Sequence, residues 1–222
     1  MRDLKYAARM LIKAPGFTAV AILSLALGIG ANTAIFSLIN AVLLRPLPVE
    51  DASTLVSVSE TDQRNPGNLP VSDLNFRDLR AQNAVFTDMG AFAFAQVNYS
   101  NGAGEALPVA AQVVTANYFS LLGAQPALGR GFLPEEELKA SPVAVISQGF
   151  WERTLGSDAS IVGRTITLNR TPFTVIGVAP KNFSGTLLGG GPAVWVPRSM
   201  HAVMQPGFDW YDQRRGLFLF AI

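Results

Sequence analysis

The side chains that carry most enzyme chemistry are nearly absent from this sequence. There is no cysteine, and His201 is the sole histidine. A disulfide framework and a thiolate metal site are therefore excluded, and one imidazole has no partner with which to build a histidine site. Ser184-Gly185 lacks the flanking G-x-S-x-G pattern of a nucleophile elbow. None of the four lysines follows a glycine, so no G-x-x-x-x-G-K-[ST] phosphate loop exists. Gly189-Gly190-Gly191-Pro192 is read as a flexible turn, because no lysine or helix start follows it. Glu135-Glu136-Glu137 is a carboxylate cluster, read as part of a solvated loop and not as an acid/base pair. No catalytic, cofactor-binding or metal-binding residue is assigned. The chain is not expected to be an enzyme or to carry a cofactor.

The element that organises the rest is residues 17–44, FTAVAILSLALGIGANTAIFSLINAVLL, which contain no charge. As a helix this run reaches about 42 Å, against a hydrocarbon core of about 30 Å. Its Leu, Ile, Val and Phe residues together favour insertion by about 4–8 kcal/mol. That sum carries the polar cost of Asn32, Thr33, Ser37 and Asn40. A signal peptide would be about half as long and end in a small-residue cleavage site. A buried helix of a soluble protein would show a charged stripe. Neither pattern is present, so residues 17–45 are predicted to span a membrane.

Within that span the small and polar residues share one side. Ala26, Gly30, Thr33, Ala34, Ser37, Asn40 and Ala41 fall in a stripe about 120° wide at the helical pitch. Ala26-xxx-Gly30-xxx-Ala34 is a ridge that another membrane helix can approach closely, and Thr33, Ser37 and Asn40 can hydrogen-bond across the contact. Before the span, Arg2, Lys5, Arg9 and Lys13 recur at steps of three and four, placing all four on one helical face. Residues 1–16 thus read as a basic amphipathic helix on the inner membrane surface, among anionic lipid headgroups, broken by Pro15-Gly16. Residues 46–222 carry 12 Lys/Arg against 15 Asp/Glu, a net of −3. Positive flanks stay cytoplasmic, so the amino terminus is predicted inside and the large domain outside. No basic patch remains for nucleic acid.

The outer segment mixes helix and strand signals irregularly, which implies an α+β domain. Strands are expected at 55–59, 90–99, 107–115, 142–146, 165–168, 173–178 and 193–196. Ser72 is expected to cap a helix burying Leu74, Phe76 and Leu79, and Ser147 a second carrying Phe150, Trp151 and Leu155. A short helical piece over 117–122 closes at Gly123. Asn169-Arg170-Thr171-Pro172 links the clearest hairpin. Phe92, Phe94, Trp151 and Trp195 are expected in the core. Residues 217–222 are apolar and stop mid-pattern, so the sequence is expected to be the amino-terminal part of a longer chain.

Several stretches resemble a known family. GIGANTAIFSLINAVLLRPLP (28–48) is similar to the first membrane helix of ABC-transporter permeases of the MacB/FtsX-like superfamily, especially those called acidobacterial duplicated orphan permeases. ANYFSLLGAQPALGRGF (116–132), VAVISQGFWERTLGSDASIVGRTITLN (143–169) and FTVIGVAPKNFSG (173–185) resemble the MacB-like periplasmic core domain in order and spacing. The resemblance implies a permease in the bacterial inner membrane, with four membrane helices and a periplasmic domain after the first. It also implies a separate cytoplasmic ABC ATPase, a second permease copy or half, periplasmic partners, and mechanical transmission in export or efflux. Three of those membrane helices, the cytoplasmic loop and any internal repeat have no counterpart in these 222 residues. Competing classes are a single-pass anchored binding or sensing domain and a membrane-tethered hydrolase. The ridge of small residues argues against the first, and the lack of a nucleophile–base pair against the second.

Overall fold

A computed structural model describes residues 10–42, 49, 52–62, 65–102, 106–187, 190–207 and 220–222. The chain divides into two compact units, Met1–Arg45 and Pro46–Ile222. In the first, a helical turn at 10–13 precedes the long helix α1 (Pro15–Val42). The expected break lies one residue earlier than Pro15-Gly16. Only Ala14 leaves helical geometry, and Pro15 becomes the first residue of α1. Proline suits that position, since its fixed φ is helical and its missing N–H needs no partner there. Thr18 Oγ1 donates to the carbonyls of Leu11 and Ala14, at 2.6 and 2.9 Å, which satisfies oxygens the break leaves over.

The second unit is built on a sheet that closes on itself. Its strands are β1 (Glu60–Asp62), β2 (Asn65–Leu69), β3 (Ala91–Ser100), β4 (Leu107–Val114), β5 (Leu128–Gly129), β6 (Val143–Ile146), β7 (Thr165–Leu168), β8 (Thr171–Val178), β9 (Val194–Pro197) and β10 (Phe220–Ala221). β1 and β2 pair as a separate hairpin. β3 pairs with β4, β4 with β9, β9 with β6, β6 with β8, β8 with β7, and β7 returns to β3. Six strands thus form a ring, with β10 added to the free stretch of β3 and β5 to that of β8. The β4–β9 and β6–β8 pairs are parallel and the rest antiparallel.

Alternation along these strands sorts the core into two clusters. Val97, Tyr99, Val109, Ala111, Val113, Ala144, Ile146, Ile166, Leu168, Phe173, Val175, Val194 and Val196 come from all six ring strands and meet in one cluster. Residues of opposite parity, Phe92, Val114, Val145, Ile176 and Trp195, form the second with Tyr118, Phe119, Leu122, Phe132 and Phe183. Burial on both faces explains why β4, β6, β8 and β9 read as apolar runs and not as clean alternation.

Short helices seal the ring: α2 (Asp73–Ala81), α3 (Tyr118–Leu121), α4 (Pro134–Leu138), α5 (Gln148–Thr154) and α6 (His201–Met204), the last preceded by a 3₁₀ turn at Arg198–Met200. The two predicted caps form. Ser72 accepts from the Asn75 N–H at 3.1 Å and Ser147 from the Phe150 N–H at 3.2 Å. Gly123, at φ +66°, ends α3 as expected.

Four expectations need correction. The β7–β8 connection is the two-residue turn Asn169-Arg170, both at positive φ, with Thr171 and Pro172 already paired in β8. The strand expected at 55–59 is reduced to a single bridge at Val58, and regular pairing begins at Glu60. Leu79 and Phe94 are exposed at 43% and 42%. Leu79 lies off the α2 face held by buried Phe76, and Phe94 stands on a stretch of β3 whose outer face is uncovered. Of the segment 217–222, only Phe220–Ile222 lies within the described residues, with Phe220–Ala221 forming β10.

Candidate functional site

Two features have the chemistry of contact surfaces, and each belongs to its own unit. In α1, Ala26, Gly30, Thr33, Ala34, Ser37 and Asn40 all stand exposed on the helix. A methyl group added at Gly28 or Gly30 would meet no neighbouring atom, so the ridge presents bare backbone. Thr33 Oγ1 donates to the Ile29 carbonyl at 2.7 Å, so its proton is spent within the helix and only acceptor capacity is left outward. Ala41 is helical, but its side chain lies outside the described residues. Of the basic face, Lys13 is exposed at the end of the first turn; Arg2, Lys5 and Arg9 lie outside the described residues. The bulky residues of α1 are exposed as well, Leu27 at 76% and Leu23 at 64%. Such a helix belongs in an apolar solvent, and α1 is long enough to cross a membrane.

In the outer unit a cleft of about 660 Å³ opens between α2, α3 and α4. Phe76, Ala81, Ala116, Phe132, Pro134 and Leu138 supply its apolar lining, and Arg77, Arg80, Arg198 and Glu137 its charge. Behind that lining lies a buried ion network. Asp73, the first residue of α2, has no exposed side-chain surface. Arg198 Nη1 pairs with Asp73 Oδ1, and Arg77 Nη2 reaches Asp73 Oδ2 at 2.7 Å. Arg198 Nη2 also donates to Glu137 Oε1 at 3.0 Å, while Glu137 Oε2 accepts from the Ala116 N–H at 2.8 Å. The Arg198 guanidinium stands 6.0 Å from the centre of the Phe76 ring. Burial by itself would lower the Arg198 pKa. The charges of Asp73 and Glu137 outweigh it, and the net shift is upward.

The carboxylate cluster is therefore not a solvated loop. Glu135, Glu136 and Glu137 form the first turns of α4, and the last two each have a specific cation. Glu136 is buried and makes a bidentate pair with Arg130, at 2.7 and 2.9 Å, while accepting the Leu133 N–H at 2.8 Å. Desolvation raises its pKa, but these donors more than offset that, leaving it below the ordinary carboxylate range. Glu135 stays exposed. The physical reason is helical geometry: three consecutive residues point 100° apart, so each meets different surroundings. Sequence spacing exposes the Asp73/Arg77 pair, which is an i,i+4 arrangement. It gives no hint of Glu137 meeting Arg198, which is 61 positions away.

A second polar knot lies within the core. Gln112 Oε1 accepts from Trp195 Nε1 at 2.9 Å and from the Tyr118 hydroxyl at 3.2 Å. Burial pushes the Tyr118 pKa up to about 12, hydrogen bonds to Thr186 and Trp195 only moderating the rise. His201 Nδ1 lies 3.2 Å from the Arg198 carbonyl oxygen. No group of acidic residues and histidines that could hold a metal ion occurs among the described residues.

The family model for the MacB-like periplasmic core domain matches residues 18–218, taking in most of α1 and nearly all of the outer unit. The chain belongs to that family. The MacB-like fold is also seen in solved structures. The periplasmic region of MacB from Actinobacillus actinomycetemcomitans is 14% identical, with a TM-score of 0.54, over 72% of this chain and 67% of that one. The extracellular domain of the noncanonic ABC-type transporter YknZ from Gram-positive bacteria is 17% identical, with a TM-score of 0.52, over 66% of this chain and 73% of that one. A domain of a putative permease protein from Porphyromonas gingivalis is 12% identical, with a TM-score of 0.50, over 68% and 67%. No curated protein matches the sequence. At these identities the structures speak for the fold. This MacB-like chain has the α+β outer domain and the apolar amino-terminal helix of a permease-family protein.

Proposed function

We propose that this chain works as a permease subunit of an ABC-type export or mechanotransmission system. The observation that carries the reading is the single family match over 18–218, which joins a helix fit for a bilayer to the outer domain. A separate cytoplasmic ATPase supplies the energy, and its closure moves the membrane helices and, through them, the periplasmic domain. The role is not enzymatic. The amino terminus lies in the cytoplasm of the inner membrane, in keeping with Arg2, Lys5, Arg9 and Lys13 before α1 and the net negative outer domain. The small-residue ridge from Ala26 to Ala41 packs against other membrane helices, from the same permease or a second copy or half.

The test is association. The protein is expressed from its own gene in a bacterial membrane, extracted in mild detergent and purified, and co-purifying ATPases are sought with and without a non-hydrolysable ATP analogue. A stoichiometric P-loop ATPase supports the proposal. Purification free of any ATPase in both nucleotide states overturns it.

A further inference from the structure

The cleft between α2, α3 and α4 carries a net positive lining in a domain whose net charge is −3, with Arg77, Arg80 and Arg198 against Glu137 alone. Its charges are not equally engaged. Arg198 is held by Asp73 and Glu137, and both Glu137 oxygens already accept a hydrogen bond. Arg80 reaches Glu137 at 3.7 Å and Asp88 at 3.9 Å, both longer than a hydrogen bond, so neither carboxylate takes its donors. Arg77 spends one nitrogen on Asp73 and keeps 57% of its side-chain surface exposed. Three residues apart on α2, Arg77 and Arg80 share one face and border one cleft.

The opposite wall is apolar. Leu138 is 84% exposed at the rim, with Phe132 and Pro134 beside it and Phe76 at the base of the arginines. The cleft is open and not enclosed, which suits a chain laid across it. From this placement the geometry points to a binding site for an extended acidic peptide segment of a partner protein. One carboxylate lies between Arg77 and Arg80 and a neighbouring large apolar side chain rests against Leu138, Pro134 and Phe132. Charge complementarity selects the acidic segment, because a basic or neutral one would leave the two exposed guanidiniums without the bidentate partner they are shaped for. The site needs no coupling to an ATPase, so it stands or falls apart from the transport proposal.

The probe is a fluorescein-labelled blocked peptide, Gly-Leu-Glu-Phe-Gly, with its Gln counterpart as control, titrated against the whole chain in nanodiscs of neutral lipid. Anisotropy is expected to report saturable binding of the Glu peptide, weakened about tenfold or more in the Gln peptide and in Arg80→Gln. Raising salt should weaken it as well. Arg80 makes only long contacts, so Arg80→Gln is expected to fold; Lys181→Gln, at an exposed position on another part of the domain, is the matched control. Equal affinity for the two peptides, no binding at millimolar peptide, or equal losses in the Arg80 and Lys181 variants would overturn the inference. So would Arg80-dependent capture by anionic lipid vesicles with no peptide binding, since that assigns the cleft to a membrane surface.

Discussion

Removing the Asp73 carboxylate should expose how much the ion network behind the cleft contributes to the outer domain. The carboxylate has no solvent contact, and Arg198 retains 11% of its side-chain surface. In Asp73→Ala, Arg198 keeps Glu137 but loses its closest counter-charge, and the Arg77 partner is lost too. Breaking a buried pair from one side costs about 3–5 kcal/mol. Glu137 remains, so the lower end, about 3 kcal/mol, is expected. Against a typical stability of about 5–15 kcal/mol this is a large fraction. All the tryptophans lie in the outer domain, so fluorescence during urea unfolding in detergent reads that unit and not α1. The companion variant is Asp73→Leu with Arg198→Met, which removes both buried charges and restores apolar volume. It should lose less than Asp73→Ala despite changing two residues, because no charge is stranded. If Asp73→Ala costs less than about 1 kcal/mol, the pair behaves as a solvated surface bridge and the argument from burial is wrong.

Two further outcomes follow from the core knot and the hairpin turn. A Tyr118→Phe difference titration, read by phenolate absorbance, should place this tyrosine near 12, where an ordinary one ionises near 10. The raised value means its stabilising contribution is complete below about pH 10 and is lost as pH rises towards 12. A Tyr118 signal near 10 in the folded protein contradicts its burial. In the β7–β8 turn, Asn169 and Arg170 both hold positive φ, 46° and 65°, but only Asn169 bonds through its side chain, to the Asn98 N–H and to the carbonyls of Val203 and Met204. Arg170→Gly should therefore stabilise by up to about 1 kcal/mol in urea unfolding, and Asn169→Gly should destabilise by about 1–3 kcal/mol. Equal effects of the two would mean that backbone strain alone decides the turn.

The features legible from sequence are those whose causes are local. The charge-free run of α1, the caps at Ser72 and Ser147, Gly123 after α3 and the β7–β8 hairpin each depend on neighbours within a few residues. The exact turn was missed because Pro172, a residue that usually marks a loop, sits in β8 opposite Thr167. Leu79 and Phe94 were misplaced because an apolar side chain at the right period says nothing of whether a neighbour covers it. The cleft was invisible for a stronger reason. Its charges come from α2, α4 and the turn at Arg198, and the contact between Asp73 and Arg198 spans 125 positions. Ring closure is equally non-local, since β3 meets β7 only at Tyr99 and Ser100.

That closure has a mechanical consequence. An open sheet yields at an edge, where one strand can peel away while the others stay still. A ring of six strands has no such place to begin, because sliding any strand requires its two neighbours, and theirs in turn, to slide as well. The outer domain is thereby a stiff link and not a spring. A displacement imposed on one strand is delivered on the far side at nearly full amplitude, and little of the work is absorbed by deforming the protein between.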